Sequence, residues 1–92
     1  MSQMLSEDFT ANGTAVNDVQ GESLIIMVTG TFGSGTLAVK LWSDARSEYR
    51  TIAAFTAATT SAQELYIGAG QRFQFEVTGA TSPAIEIDYW FV

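Results

Sequence analysis

Cysteine and histidine are both absent from this 92-residue sequence. Without histidine the usual general base, the commonest metal ligand and the Ser-His-Asp triad are all missing. Without cysteine there is no disulfide staple and no thiolate ligand, so a zinc site is excluded as well. Lysine occurs once, at Lys40, and proline once, at Pro83. The longest apolar run, residues 24–28, falls far short of the roughly 20 residues that a membrane-spanning helix needs. Residues 1–8 have neither a basic end nor an apolar core, so no secretory signal is expected. Basic residues are scarce, 4 against 10 acidic, for a net charge of −6. An acidic surface repels phosphate backbones and anionic lipids, so neither nucleic acid nor membrane is expected as a partner. No cofactor is expected either.

What is abundant is apolar: 47% of the residues are hydrophobic and 12% aromatic. One domain of this length buries only about 60–65% of its unfolded surface, so part of that content is expected to be covered by other subunits. A small unstapled β domain also gains stability by oligomerising. The apolar residues alternate. In Thr36-Leu37-Ala38-Val39-Lys40-Leu41-Trp42, the residues Leu37, Val39 and Leu41 share one phase. The same two-residue period returns in residues 72–78 and 85–92, and it marks strands with one buried face. Residues 22–29 read as a strand buried on both faces, or on one face plus an interface. Asn12-Gly13 reads as a hairpin turn, residues 30–35 as a glycine-rich hairpin loop, and residues 68–70 and 79–83 as turns.

About eight short strands with frequent turns predict an all-β, single-domain antiparallel sandwich over residues 9–92, jelly-roll or immunoglobulin-like. Residues 1–8 predict a flexible arm whose two apolar residues, Met4 and Leu5, order on a partner. The predicted core is Ile26, Val28, Leu37, Val39, Leu41, Phe73, Phe75, Val77, Ile85, Ile87, Tyr89 and Phe91.

Few residues invite a chemical reading. Residues 30–36 look superficially like a phosphate loop but lack the Gly-Lys-Ser/Thr ending and lead into a strand. Glu86 and Asp88 lie two apart on one strand face, a spacing open to glycosidase chemistry but simpler as a solubilising outer face. Asp44, Arg46, Glu48 and Arg50 alternate in sign, as in a surface ion-pair cluster or a docking loop. Lys40 is expected outward and solvated. Trp42, Trp90 and Tyr66 fall in outward phases. They can anchor a subunit interface, turn into the core at strand ends, or stack on sugar rings. The candidate partner-contacting residues are therefore Met4, Leu5, Trp42, Asp44, Arg46, Tyr66 and Trp90, with no catalytic or metal-binding set.

The landmarks Val28-Thr29-Gly30-Thr31-Phe32-Gly33-Ser34-Gly35-Thr36-Leu37, Leu41-Trp42-Ser43-Asp44 and Gly70-Gln71-Arg72-Phe73-Gln74-Phe75-Glu76-Val77-Thr78-Gly79-Ala80 resemble those of small β-sandwich virion proteins of tailed bacteriophages. The resemblance runs from about residue 11 to the last residue. It implies a capsid decoration or cement protein on the virion surface, assembled in the host cytoplasm. It implies a homo-oligomer, with a trimer as the leading form, bound to the major capsid protein. The alternative it leaves is a head-fibre or tail module that binds carbohydrate through exposed aromatics. It transfers no catalytic residues.

Overall fold

The structure is a computed structural model and describes residues 4–68 and 72–92. It contains eight strands: β1 Leu5–Phe9, β2 Gly13–Asp18, β3 Ser23–Thr31, β4 Thr36–Ser43, β5 Glu48–Phe55, β6 Gln63–Tyr66, β7 Arg72–Thr78 and β8 Ala84–Phe91. They form two four-stranded antiparallel sheets, sheet A in the order β1-β8-β3-β6 and sheet B in the order β2-β7-β4-β5. The pairing is nested. The first strand pairs with the last, the second with the seventh, the third with the sixth, and the fourth with the fifth. The chain is thus one long hairpin, rolled up so that β3 also pairs with β8 and β4 with β7. That order is a jelly roll, which decides between the two architectures open from sequence.

Alternation fills the space between the sheets. Leu24, Ile26 and Val28 of β3 and Ile85, Ile87, Tyr89 and Phe91 of β8 meet Leu37 and Val39 of β4 and Phe73, Phe75 and Val77 of β7, all buried. Phe73 is a hub. Its ring makes edge-to-face contacts with Phe75, Tyr89 and Phe91 at 5.2, 6.0 and 5.7 Å, joining β7 of one sheet to β8 of the other. Leu41, predicted in the core, is only partly buried near the end of β4, where the burial pattern of the strand loses its alternation. Phe9, Phe32 and Ile67 join the core from strand ends and loops, where no alternation announces them.

Two expectations need correction. Leu5–Asp8 is not an arm: it pairs with β8 from Leu5↔Tyr89 to Asp8↔Glu86, and Leu5 packs on the core. Its poor apolar pattern follows from its edge position, where Glu7 points inward and blunts further pairing. The rest of the expected arm, residues 1–3, lies outside the described residues, as do residues 69–71 of the expected turn and strand start. Second, the turns at residues 12–13 and 30–35 are not hairpins. β1 and β2 lie in different sheets, as do β3 and β4. Both turns are corners between the layers, and among the described residues β4–β5 is the one pair of consecutive strands that is hydrogen-bonded.

The corners brace one another. Asn12 Nδ2 donates to the Ala80 carbonyl at 3.1 Å, and the Ala80 amide donates to Asn12 Oδ1 at 2.9 Å. Gly33 sits at φ 58° with the Thr81 amide donating to its carbonyl at 2.9 Å. A Cβ there would lie 2.1 Å from the Thr81 carbonyl oxygen, so the glycines serve backbone approach rather than phosphate binding. The Ala/Thr/Ser stretch before β6 is pinned through Thr59, whose amide donates to the Val28 carbonyl at 2.9 Å.

Candidate interaction surfaces

The rolled topology assigns every charged side chain to one sheet or the other. Sheet A and its immediate flank hold Glu7, Asp8, Glu22, Glu64, Glu86 and Asp88, and no basic residue. Sheet B with its β4–β5 turn holds Lys40, Arg46, Arg50 and Arg72 against Asp18, Asp44, Glu48 and Glu76. The net charge of −6 therefore belongs to one half of a flat slab with Cα extents of 33 × 32 × 16 Å.

The outer face of sheet B is internally matched. Lys40 Nζ lies 2.6 Å from Glu76 Oε1, with both side chains about three-quarters buried. Lys40 is thus outward as expected, but paired rather than freely solvated. The Arg72 guanidinium covers the Trp42 ring at 4.7 Å from its centroid, a cation–π contact. Trp42 Nε1 donates to Asp44 Oδ1 at 2.6 Å, and the Trp42 ring meets Tyr49 edge-on at 5.0 Å. Asp44 is thus committed to Trp42 rather than to an ion pair. Of the predicted loop cluster, Glu48–Arg50 is the pair within reach among the described residues, at 3.8 Å. Arg46 is exposed at the turn.

The outer face of sheet A is built differently. β8 presents Glu86, Asp88 and Trp90, and β3 presents Ile25, Met27 and Thr29. The register sets Trp90 opposite Ile25, Asp88 opposite Met27 and Glu86 opposite Thr29. On the far side Ile25 faces Glu64, and Tyr66, 76% exposed, faces Ser23. Across the other edge Asp8 lies opposite Glu86. Continuing that register by one residue sets Met4, 55% exposed, opposite Trp90. Met4, Trp90 and Ile25 thus form an apolar row that ends at Glu64, with Met27 beside Ile25 on β3 and the carboxylates Asp88, Glu86 and Asp8 to one side of it. Trp90 faces outward as expected from its phase, while Ile85, Ile87, Tyr89 and Phe91 face the core.

The seven predicted contact residues therefore divide. Met4, Tyr66 and Trp90 share the outer face of sheet A, Trp42, Asp44 and Arg46 lie on sheet B, and Leu5 belongs to the interior. Ile25 and Met27 were signalled only by the unbroken apolar run of β3. Nothing local signalled Arg72.

Between the edge strands β1 and β2 the sandwich opens into a cleft of about 290 Å³, lined by Leu5, Val16, Asn17, Asp18, Gln20, Tyr89 and Phe91. Asn17 Nδ2 is buried there without a hydrogen-bond partner. Burial, and then the nearby Glu7 carboxylate, push the Tyr89 phenol above its ordinary value of 10.0. Among the described residues no group of three or more acidic side chains is gathered closely enough to hold a metal ion. No family model, curated protein or solved structure matches the chain.

Proposed function

We propose that the chain is a non-enzymatic structural protein that decorates and stabilises a capsid shell, as the tailed-phage cement proteins it resembles do. It acts on the virion surface as a homo-oligomer, with a trimer as the leading form, seated on the major capsid protein. The observation that supports this most is the outward apolar row of sheet A. The core is complete without Trp90, Ile25 and Met27, which are partly exposed beside the exposed Met4, so this outward apolar surface serves something outside the monomer. Burying apolar surface at subunit joints stabilises a shell by about 25 cal/mol per Å² before ordering costs. Light scattering of the purified chain, followed by a search for it by mass spectrometry in purified virions, tests the proposal. A strict monomer absent from particles overturns it.

A second reading, a head-fibre or tail module that binds carbohydrate, draws on the cleft rather than on the tryptophans. One face of Trp42 is already occupied by Arg72. The unpartnered Asn17 amide beside Asp18 and Gln20, above a floor formed by Leu5 and the nearly buried Tyr89 and Phe91, supplies polar groups of the kind that sugar hydroxyls meet. Glycan-array binding that disappears in Asn17→Ala supports this reading, and a blank array removes it.

A further inference from the structure

We infer that the outer face of sheet A docks a basic, apolar-bearing protein surface, arginine and lysine side chains entering between Asp8, Glu64, Glu86 and Asp88 while an apolar group covers Trp90. This deepens the shell reading above and rests on it only for the identity of the assembly.

Three observations converge. The first is the apolar row itself, outside a finished core. The second is charge. Every basic side chain of the protein lies on the other half of the slab, and the Lys40, Arg50 and Arg72 side chains there are engaged with Glu76, Glu48 and Trp42. Asp8 and Glu86, by contrast, lie directly opposite each other on β1 and β8, and Glu86 and Asp88 are successive outward residues of β8. Like charges set face to face destabilise a sheet, so the free protein carries a repulsion that a cationic partner relieves. The third is size. A face of 33 × 32 Å is about 1,000 Å², enough for the roughly 800 Å² that each partner contributes to a standard interface.

The same charges argue against a second copy as occupant. Two sheet A faces brought together would join surfaces that each carry carboxylates and no basic side chain. A sheet A face laid on a sheet B face would meet Lys40 and Arg72 already engaged within their own sheet, leaving only Arg46 at the β4–β5 turn and the exposed Arg50 of β5 to answer the sheet A carboxylates. The partner that matches is one with excess positive charge and an exposed aliphatic or aromatic group.

Titration of the full-length chain with a synthetic Arg-Leu repeat peptide, in parallel with an Arg-Ser repeat peptide, tests this. The expected result is saturable binding of the Arg-Leu peptide, weakened at least tenfold between 50 and 300 mM salt and at least fivefold tighter than the Arg-Ser peptide. Asp8→Asn/Glu86→Gln/Asp88→Asn should lose at least tenfold in affinity. Asp18→Asn/Asp44→Asn/Glu48→Gln, which removes as much charge from the other half, should lose less than threefold. Equal loss in both variants means that the peptide reads net charge alone and overturns the inference, as does no saturable binding. A Trp42→Phe background leaves Trp90 as the sole tryptophan and gives a second readout that needs no charge variant. Saturating peptide should shift Trp90 emission to the blue and shield it from acrylamide; an unchanged Trp90 signal overturns the inference. So does a defined oligomer of the peptide-free chain that Trp90→Ala dissociates, because a second copy then occupies the face. Two results separate this inference from the shell reading. Particles that retain the Asp8/Glu86/Asp88 variant as firmly as the wild type sink the docking face and leave the shell role standing. Peptide binding at sheet A by a chain absent from virions does the reverse.

Discussion

On sheet B, Lys40 is bonded to Glu76 and Arg72 lies over a tryptophan that is itself tied to Asp44. On sheet A, Asp8 faces Glu86 with no basic side chain on that sheet among the described residues, and Trp90 stands beside Asp88 with its indole partly exposed. The two sheets have equivalent inner faces: each contributes alternate aromatic and aliphatic side chains to one shared core. Their outer faces answer to different demands. Sheet B satisfies its own charges, as a surface turned to water or to a copy of itself can. Sheet A retains repulsion and apolar exposure, a combination that is costly alone and favourable against a complementary partner. Because strand alternation separates the two faces of every strand, the outer faces can diverge without disturbing the core.

Four measurements break or sharpen that comparison. The largest effect belongs to the layer the sheets share. Phe73→Ala removes the ring that joins β7 to β8 and should cost about 3–5 kcal/mol in urea unfolding, most of the stability of a domain this size. A loss well under 2 kcal/mol would mean that the sheets do not depend on a common core. Next come the tryptophans. Trp42→Ala gives up an edge-on ring contact and a cation–π contact and should lower stability by about 1–2 kcal/mol. Trp90→Ala should leave the monomer folded, with its melting temperature close to wild type and any self-association unchanged, while binding of the Arg-Leu peptide at sheet A is lost. If Trp90→Ala unfolds the domain and Trp42→Ala does not, the roles of the two outer faces are reversed.

The third comparison is of sign. Glu76→Gln strands Lys40 and should lower stability by up to about 1 kcal/mol, whereas Glu86→Gln relieves like-charge repulsion and should raise it by about 0.2–1 kcal/mol. Shifts of the same sign in chemical denaturation would erase the contrast between the sheets. The smallest effect appears only in alkali. Burial holds the Tyr89 phenol neutral, with its folded value raised above 10.0. Its contribution is therefore complete below pH 10 and is lost as pH rises through the folded value. Melting temperatures taken across that range should fall more steeply for the wild type than for Tyr89→Phe. Equal slopes would show that the phenol is as well solvated in the fold as in the unfolded chain.

Much of this architecture was legible in the residues. The alternation of residues 36–42, 72–78 and 85–91 located three core strands and their phases, including the outward tryptophans, because a period of two leaves no other way to bury Leu37, Phe73 or Ile87. The edge strand β1 was not legible. Leu5-Ser6-Glu7-Asp8-Phe9 puts a carboxylate at an inward position, which only an edge tolerates. Nor did turn chemistry distinguish a hairpin from a corner. Asn12-Gly13 and the glycines of residues 30–35 permit tight backbone paths, but whether the next strand joins the same sheet depends on pairings between β1 and β8 or β3 and β8, far apart along the chain.

The sequence by itself determined the all-β class, the buried phase of the major strands and the excess of acid over base, since these follow from composition and from side chains alternating along a single strand. The tertiary structure alone decided that the chain rolls into nested pairs, that Met4, Ile25, Met27 and Trp90 share one face, and that all four cations lie on the opposite half. Those are consequences of register between distant strands, and a local pattern carries no record of which distant strand will lie beside it.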